Sequence, residues 1–389
     1  MHITLLKETR PGERRVALVP ESCKKLIQAG YTISVEKAAG EAAFYPDDEY
    51  RNVGCTVEPD PAAMVQSADF VIRVNPPVID KASRHEVEWM KPGTVLLASL
   101  MPLRHLNVVR QLATHKITAF STDAIPRITR AQSMDTLSSM ANIVGYKGVI
   151  IAASELNKYF PMFMTAAGTV FPAKVFVIGA AVAGLQAIAT ARRLGANVTA
   201  TDVRPEVKEQ IESLGAKYVG IELKESASAG GGYARELSQE DKLRQRELLA
   251  NQCAMVDIVI TTALIGGVFA PKLITSEIVS KMRPGSIIVD LGADGGGNCE
   301  LSKIGETVMT KNGVKIIAPV NLPATMPTHA SLLFSRNLTA FVQAFTQDKK
   351  FHLDLLDDIQ KGSLITHNGE VLNSRIKEAL LKETHTEGL

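Results

Sequence analysis

The stretch KVFVIGAAVAGLQAIATARRLGANVTATDVR, residues 174–204, decides the fold. Its apolar run 175–178 suits a strand buried on both faces. A turn follows at Gly179, then an Ala/Leu/Ile-rich helix to about Leu194, then a second strand, 197–201, ending on Asp202. Each punctuating residue has a mechanical reason in a dinucleotide site. Gly179 permits the tight turn, the helix start at Val182 presents free N–H groups to a pyrophosphate, and Gly184 lets helix and strand approach. Asp202, followed by Val203, can accept both ribose hydroxyls. Ala181 stands where a middle glycine commonly admits the phosphate, and its methyl group narrows that approach without blocking it. Asp202 also repels a 2′-phosphate, which favours NAD over NADP; Arg204, two residues on, works slightly against that preference.

The 389 residues are enough for two ordinary domains, and 46% apolar with 22% charged residues excludes a disordered or fibrous chain. The net charge of +2 is the balance of totals spread along the sequence, so no nucleic-acid footprint is implied. Cys23, Cys55, Cys253 and Cys299 form no C-x-x-C pair and read as free thiols in a reducing compartment. Lys7, Glu8 and Arg10 interrupt the N-terminus too early for a signal peptide. The uncharged run 175–191 lies at the lower edge of membrane-spanning length, and the nucleotide unit already accounts for it, so no direct membrane insertion is expected. No G-x-S-x-G or H-E-x-x-H pattern occurs, and the eight histidines are scattered, so no metal site is expected.

Outward from the central stretch, strands are expected at 3–6, 32–36, 70–74, 94–98, 117–121, 258–261 and 287–290, with helices at 20–28, 107–114, 132–155 and 329–345. The alternation argues an α/β protein with parallel sheets covered on both faces. The two halves repeat one plan: ADFVI at 68–72 parallels VDIVI at 256–260, and MKPGTVLL at 90–97 parallels MRPGSIIV at 282–289. The offset grows along the chain, and 225–240 is the expected insertion in the second copy. Two Rossmann-like, doubly wound domains with a cleft between them follow, one from 1–140 plus 325–389 and one from 141–324. Only the second copy has the glycine turn; the first has Lys7, Glu8, Arg10, Pro11, Arg14 and Arg15 there. The tail from Lys377 is charged and expected to fray.

Over essentially its full length the chain resembles the NAD(H)-binding component of proton-translocating nicotinamide nucleotide transhydrogenase, a family related to alanine dehydrogenase. The motifs are KETRPGERRVALVP at 7–20, PRITRAQSMDTLSSMANIVGYKGV at 126–149, MTAAGT at 164–169, GGYARE at 231–236, TTALI at 261–265 and GGGNCELS at 295–302. The resemblance implies that Arg127, Gln132 and Asp135 reach the nicotinamide end of the cofactor, with Ser138 adding a hydroxyl one helical turn on. An arginine beside a carboxamide and a carboxylate can orient the nicotinamide amide and so fix the face presented for hydride transfer. The alternative is an Arg127–Asp135 ion pair that caps the following helix. GGYARE implies a mobile flap in which Gly232 and Tyr233 cover the nucleotide; a disordered surface insertion is the other reading. Thr262, Ala263 and Leu264 fall where small groups pass a ribose.

The resemblance further implies NAD(H) as cofactor, a homodimer, an NADP(H)-binding partner subunit and a membrane proton-channel subunit. It implies a separate cytoplasmic subunit, or an excised domain of a longer one, peripheral on the inner face of the membrane through those partners. Alanine dehydrogenase is the sharpest competitor: Arg15, Arg73 and Asp294 match parts of its carboxylate pocket. Its catalytic histidine, however, falls near Met101, which cannot transfer a proton. A third reading is an NAD(H)-sensing module without turnover.

Overall fold

Short runs of Val, Ile, Leu and Phe make the central strands, because β-branched and aromatic side chains suit a pleated surface buried on both faces. The computed structural model of the chain describes residues 1–78, 86–221, 238–264 and 270–386. Its strands are β1 (His2–Leu5), β2 (Thr32–Glu36), β3 (Thr56–Glu58), β4 (Phe70–Ile72), β5 (Val95–Ala98), β6 (Thr118–Ser121), β7 (Phe163–Thr165), β8 (Gly168–Val170), β9 (Lys174–Ile178) and β10 (Asn197–Thr201). They continue as β11 (Lys217–Tyr218), β12 (Ile258–Thr261), β13 (Ile287–Asp290), β14 (Thr307–Met309), β15 (Lys315–Ile317), β16 (Thr346–Gln347), β17 (Lys350–Phe351), β18 (Leu364–His367) and β19 (Glu370–Val371).

The chain divides into two compact units, Met1–Met140 with Pro323–Leu389, and Ala141–Leu322. The first holds a sheet ordered β19-β18-β6-β5-β4-β1-β2-β3 and the second a sheet ordered β11-β10-β9-β12-β13-β15-β14. In each, three strands run outward to one side and three to the other, all parallel: β1 to β3 against β4 to β6, and β9 to β11 against β12, β13 and β15. The two copies seen in the sequence are thus two sheets of one topology, finished by antiparallel edge strands: β18 and β19 in the first, β14 in the second.

Alternate residues of one strand serve opposite layers. Val175 and Val177 of β9 join one buried apolar cluster while Phe176 and Ile178 join another. Ile3 and Leu5 of β1 belong to one cluster of the first unit, and Leu6, just beyond, to the second. The four cysteines are free and buried. No helix among the described residues is long and apolar enough to cross a membrane.

Some boundaries differ from expectation for identifiable reasons. The helix expected from Gln132 begins at Thr136; residues Thr129–Met134 form a 3-10 turn, and Asp135 accepts the Ser138 N–H at 2.8 Å as a cap. Strand β4 stops at Ile72 because the Glu8 carboxylate takes the Val74 N–H at 2.7 Å. The charged tail does not fray at Lys377 but forms the helix Ser374–Thr386, anchored by buried Ile376 and an Arg110–Glu383 ion pair of 2.8 Å. Most of the expected insertion, 222–237, lies outside the described residues; the helix Gln239–Met255 follows it, capped by Ser238.

Candidate nucleotide site

Register sets the floor of the site. Ile178 of β9 pairs with Thr201 of β10 and Thr261 of β12, and Thr261 pairs with Asp290 of β13. Four strands therefore end level, and Gly179, Asp202 and Thr262 leave the same edge, where the strand order reverses. In open α/β sheets that crevice is where ligands bind.

Gly179 has φ +91°, the left-handed region that favours glycine, and a Cβ there would sit 2.7 Å from Thr262 Oγ1. A Cβ on Gly184 would land on the Gly179 carbonyl, so the first turn of the helix Val182–Arg193 needs glycine at that point. Ala181 is the N-cap and offers no side-chain acceptor. The first turn, Val182, Ala183 and Gly184, has no carbonyl one turn back, because the first intrahelical bond is Leu185 N–H to Ala181. These donors, together with the positive end of the helix, suit an anion.

Asp202 is tied into this turn. Its carboxylate accepts the Ala180 N–H at 2.8 Å and the Arg204 N–H at 2.9 Å. Arg204 folds back on it through Nε at 2.9 Å and Nη2 at 2.8 Å. That pairing raises the Arg204 guanidinium further above its ordinary value, against the effect of its burial. Val203 is half-buried between them. The two N–H groups and the guanidinium together use the four acceptor sites of the carboxylate. A ribose would therefore take the places held by the guanidinium, the one partner that can swing aside. Thr262 Oγ1 donates to the Gly179 carbonyl at 3.0 Å, which locks the β12 loop against the glycine turn, and Ala263 and Leu264 continue from it half-buried.

The second group of candidates belongs to the first unit. Arg127 and Gln132 are exposed, while Ala131 and Met134 between and beside them are buried in that unit's core. Asn337 Nδ2 donates to the Ser133 carbonyl at 2.8 Å, and Arg130 pairs with Asp357 at 2.5 Å. Burial would raise the Asp357 carboxyl, but hydrogen bonds from the Gln360 N–H and Arg130 outweigh it and hold the group below its usual range. Asp135 and Ser138 are brought together: Ser138 Oγ donates to Asp135 at 2.6 Å. Gly232 and Tyr233 lie outside the described residues.

The basic residues of the alternative carboxylate pocket are taken up by the chain's own acids. Arg15 makes a two-point bond to Glu13, Nε at 2.8 Å and Nη2 at 2.7 Å. Fully buried Arg73 pairs with Glu8 at 3.4 Å and with Glu86. Asn75 Nδ2 bridges Glu8 and Glu13 at 3.0 Å each. Burial pushes the Glu13 carboxyl up, yet the bonds from Arg15 and Asn75 prevail and bring it down to about 2. Met101 has φ +43°, and its N–H is held at 3.1 Å by Asp123, whose carboxyl burial raises. Asp294 is in the second unit and accepts the Asn321 N–H at 3.4 Å.

Sequence reasoning passed over the residues that hold these loops: Asn298, Asp290, Asn337 and Asp357. Asn298 lies inside GGGNCELS, so the motif was visible, but the partners of its side chain were not.

Two family models match, described as the alanine dehydrogenase/PNT N-terminal domain over residues 4–144 and the C-terminal domain over residues 148–374. The chain is 45% identical over 377 residues to the first portion of NAD(P) transhydrogenase subunit alpha of Rhodospirillum rubrum, covering 96% of this chain and 98% of that one. It is 28% identical to alanine dehydrogenase of Staphylococcus saprophyticus, covering 98% and 97%. The solved transhydrogenase of Sinorhizobium meliloti superposes with a TM-score of 0.85 at 42% identity, over 95% of this chain and 100% of that one. With both domains matched in order along the sequence, the chain belongs to the alanine dehydrogenase/PNT family.

Proposed function

We propose that this chain is the NAD(H)-binding component of a proton-translocating NAD(P) transhydrogenase, holding NADH and delivering hydride directly to NADP+ on a partner subunit. The observation that carries the reading is Asp202, a carboxylate at the end of β10 fixed to the Ala180 N–H beside an uncapped helix start. Asp202 would accept the ribose hydroxyls, and the N–H groups of Val182, Ala183 and Gly184 would face the pyrophosphate. Thr262, Ala263 and Leu264 would line a ribose, with Gly232 and Tyr233 as the covering flap. Arg127, Gln132, Asp135 and Ser138 would orient the nicotinamide amide and so select one face of the ring. The bound nicotinamide supplies the hydride, so the residues have only to hold, orient and shield it.

Amino-acid oxidation fits less well. It needs a cation open to the substrate carboxylate and an acid–base group, whereas Arg15 and Arg73 are bonded to Glu13, Glu8 and Glu86, and position 101 is methionine. The proposal includes a homodimer, an NADP(H)-binding partner, a membrane proton-channel subunit, and a peripheral cytoplasmic position through those partners. The test is hydride transfer from NADH to an NADP analogue, with the purified chain alone and with a transhydrogenase NADP-binding component added. Transfer only in the mixture supports the reading. Turnover of alanine with NAD by the chain alone overturns it.

A further inference from the structure

Thr262, Ala263 and Leu264 follow the end of β12; the Thr262 N–H still bonds the Ile178 carbonyl of β9 at 2.9 Å, and beyond it the side chain of Asn298 holds the main chain of Ala263. Asn298 is wholly buried. Its Oδ1 accepts the Ala263 N–H at 3.2 Å, and its Nδ2 donates to the carbonyls of Ala263 and Pro271 at 2.9 Å each. Both amide hydrogens are thereby used, and every bond goes to the main chain of Ala263 or Pro271. A buried carboxamide must be desolvated, a cost that an apolar residue filling the same space avoids, so simple packing does not explain the residue type.

The surroundings are built for this contact. The Asn298 N–H donates to Asp290 Oδ1 at 3.0 Å, and its carbonyl accepts from Leu273 and Ile274 at 2.8 and 3.0 Å. Buried Asp290 also accepts the Cys299 N–H at 3.0 Å and the hydroxyls of Ser302 at 2.6 Å and Thr261 at 3.0 Å. A Cβ on Gly292 would lie 2.6 Å from Asn298 Oδ1, so glycine there leaves the carboxamide its room. One line of contacts runs from Asp290 through Asn298 to Ala263, then by Thr262 Oγ1 to the Gly179 carbonyl.

We infer that Asn298 is a positioning residue for the dinucleotide: its carboxamide fixes the Ala263 main chain, and with it Thr262 and Leu264, in the conformation that receives the cofactor. The inference rests on those three residues lining the nucleotide, as proposed above.

The test is NADH titration, followed by nucleotide fluorescence, together with hydrogen exchange at the Ala263 amide in the full chain. Asn298→Asp keeps the shape and the acceptor but turns an oxygen toward two carbonyls. It is expected to weaken NADH binding about tenfold and to speed Ala263 exchange by a similar factor. Asn298→Ser, which retains one hydroxyl donor, serves if the aspartate variant does not fold, and should lie between the two. Ser302→Ala removes a hydroxyl from Asp290 without touching the three Asn298 contacts; it should lower the melting temperature yet leave NADH affinity within about twofold. Unchanged affinity in the Asn298 variants, with normal binding by the unaltered chain, overturns the positioning role alone. An equal loss of affinity in Ser302→Ala overturns it in favour of a general structural role. Failure of the unaltered chain to bind NADH overturns the nucleotide reading and this inference together.

Discussion

Asp202 bonds two backbone N–H groups and one guanidinium, so its removal has two separable effects. Asp202→Ala takes away charge-assisted acceptors for a ribose, and NADH affinity should fall roughly 10- to 100-fold. It also takes away the carboxylate that pairs with Arg204 and would repel a 2′-phosphate, so NADPH should lose much less. Parallel fluorescence titrations with the two nucleotides check this, and an unchanged ratio would remove Asp202 from the site. Gly184 is constrained by shape rather than charge. Gly184→Ala drives a methyl group into the Gly179 carbonyl, which is backbone and cannot swing aside. The expected loss is about 1–3 kcal/mol of stability together with weaker NADH binding, since the glycine turn must shift. Thermal denaturation with and without NADH reads both effects.

The loop 126–135 is an element held by its buried residues while its polar ones face outward. Ala131 and Met134 anchor it in the core, Asn337 holds the Ser133 carbonyl, and Asp357 holds Arg130. If Arg127 orients the nicotinamide, Arg127→Ala should reduce hydride transfer with an added NADP-binding component at least tenfold more than it reduces NADH affinity. Equal losses would mean that Arg127 only binds. The strands, the glycine turn and Asp202 were legible in sequence because each depends on neighbours in the chain: apolar runs, a glycine at a forced angle, an acid at a strand tip. The supports of this loop were not. Asn337 and Asp357 come from more than 200 residues away in sequence, and nothing local marks them as partners of Ser133 and Arg130. The early helix start expected at Gln132 failed for a related reason, since apolar spacing runs through a 3-10 turn as smoothly as through a helix, and only the Asp135 cap sets the boundary.

At the scale of the whole molecule, one topology has been used twice with different contents at the first turn. In the second unit that turn is a glycine bend open to an anion. In the first it is KETRPGERR, and the space after β1 is filled by ion pairs among Glu8, Glu13, Arg15, Arg73 and Glu86, bridged by hydrogen bonds that Asn75 donates to Glu8 and Glu13. The repeat was legible because both sheets keep the same strand motifs, but the ion-pair network was not, because it joins residues from separate loops. It has a consequence for acid stability. Glu13 is nearly buried, and its carboxyl is held at about 2 against an ordinary 4.5. As pH falls below about 4.5 the unfolded chain takes up this proton first, so the contribution is full above that pH and is lost progressively toward pH 2. Its size is on the order of 3 kcal/mol. The single tryptophan, Trp89, lies in the first unit and reports that unit's unfolding selectively. Urea denaturation followed by Trp89 fluorescence should show stability falling between pH 4.5 and 2 in the unaltered chain. Glu13→Gln, which keeps the shape but cannot ionise, should be less stable at pH 7, because the charge-assisted two-point bond from Arg15 is weakened, and should show a flatter acid limb. The same acid limb in both proteins would mean that the network contributes nothing to the pH dependence of the fold.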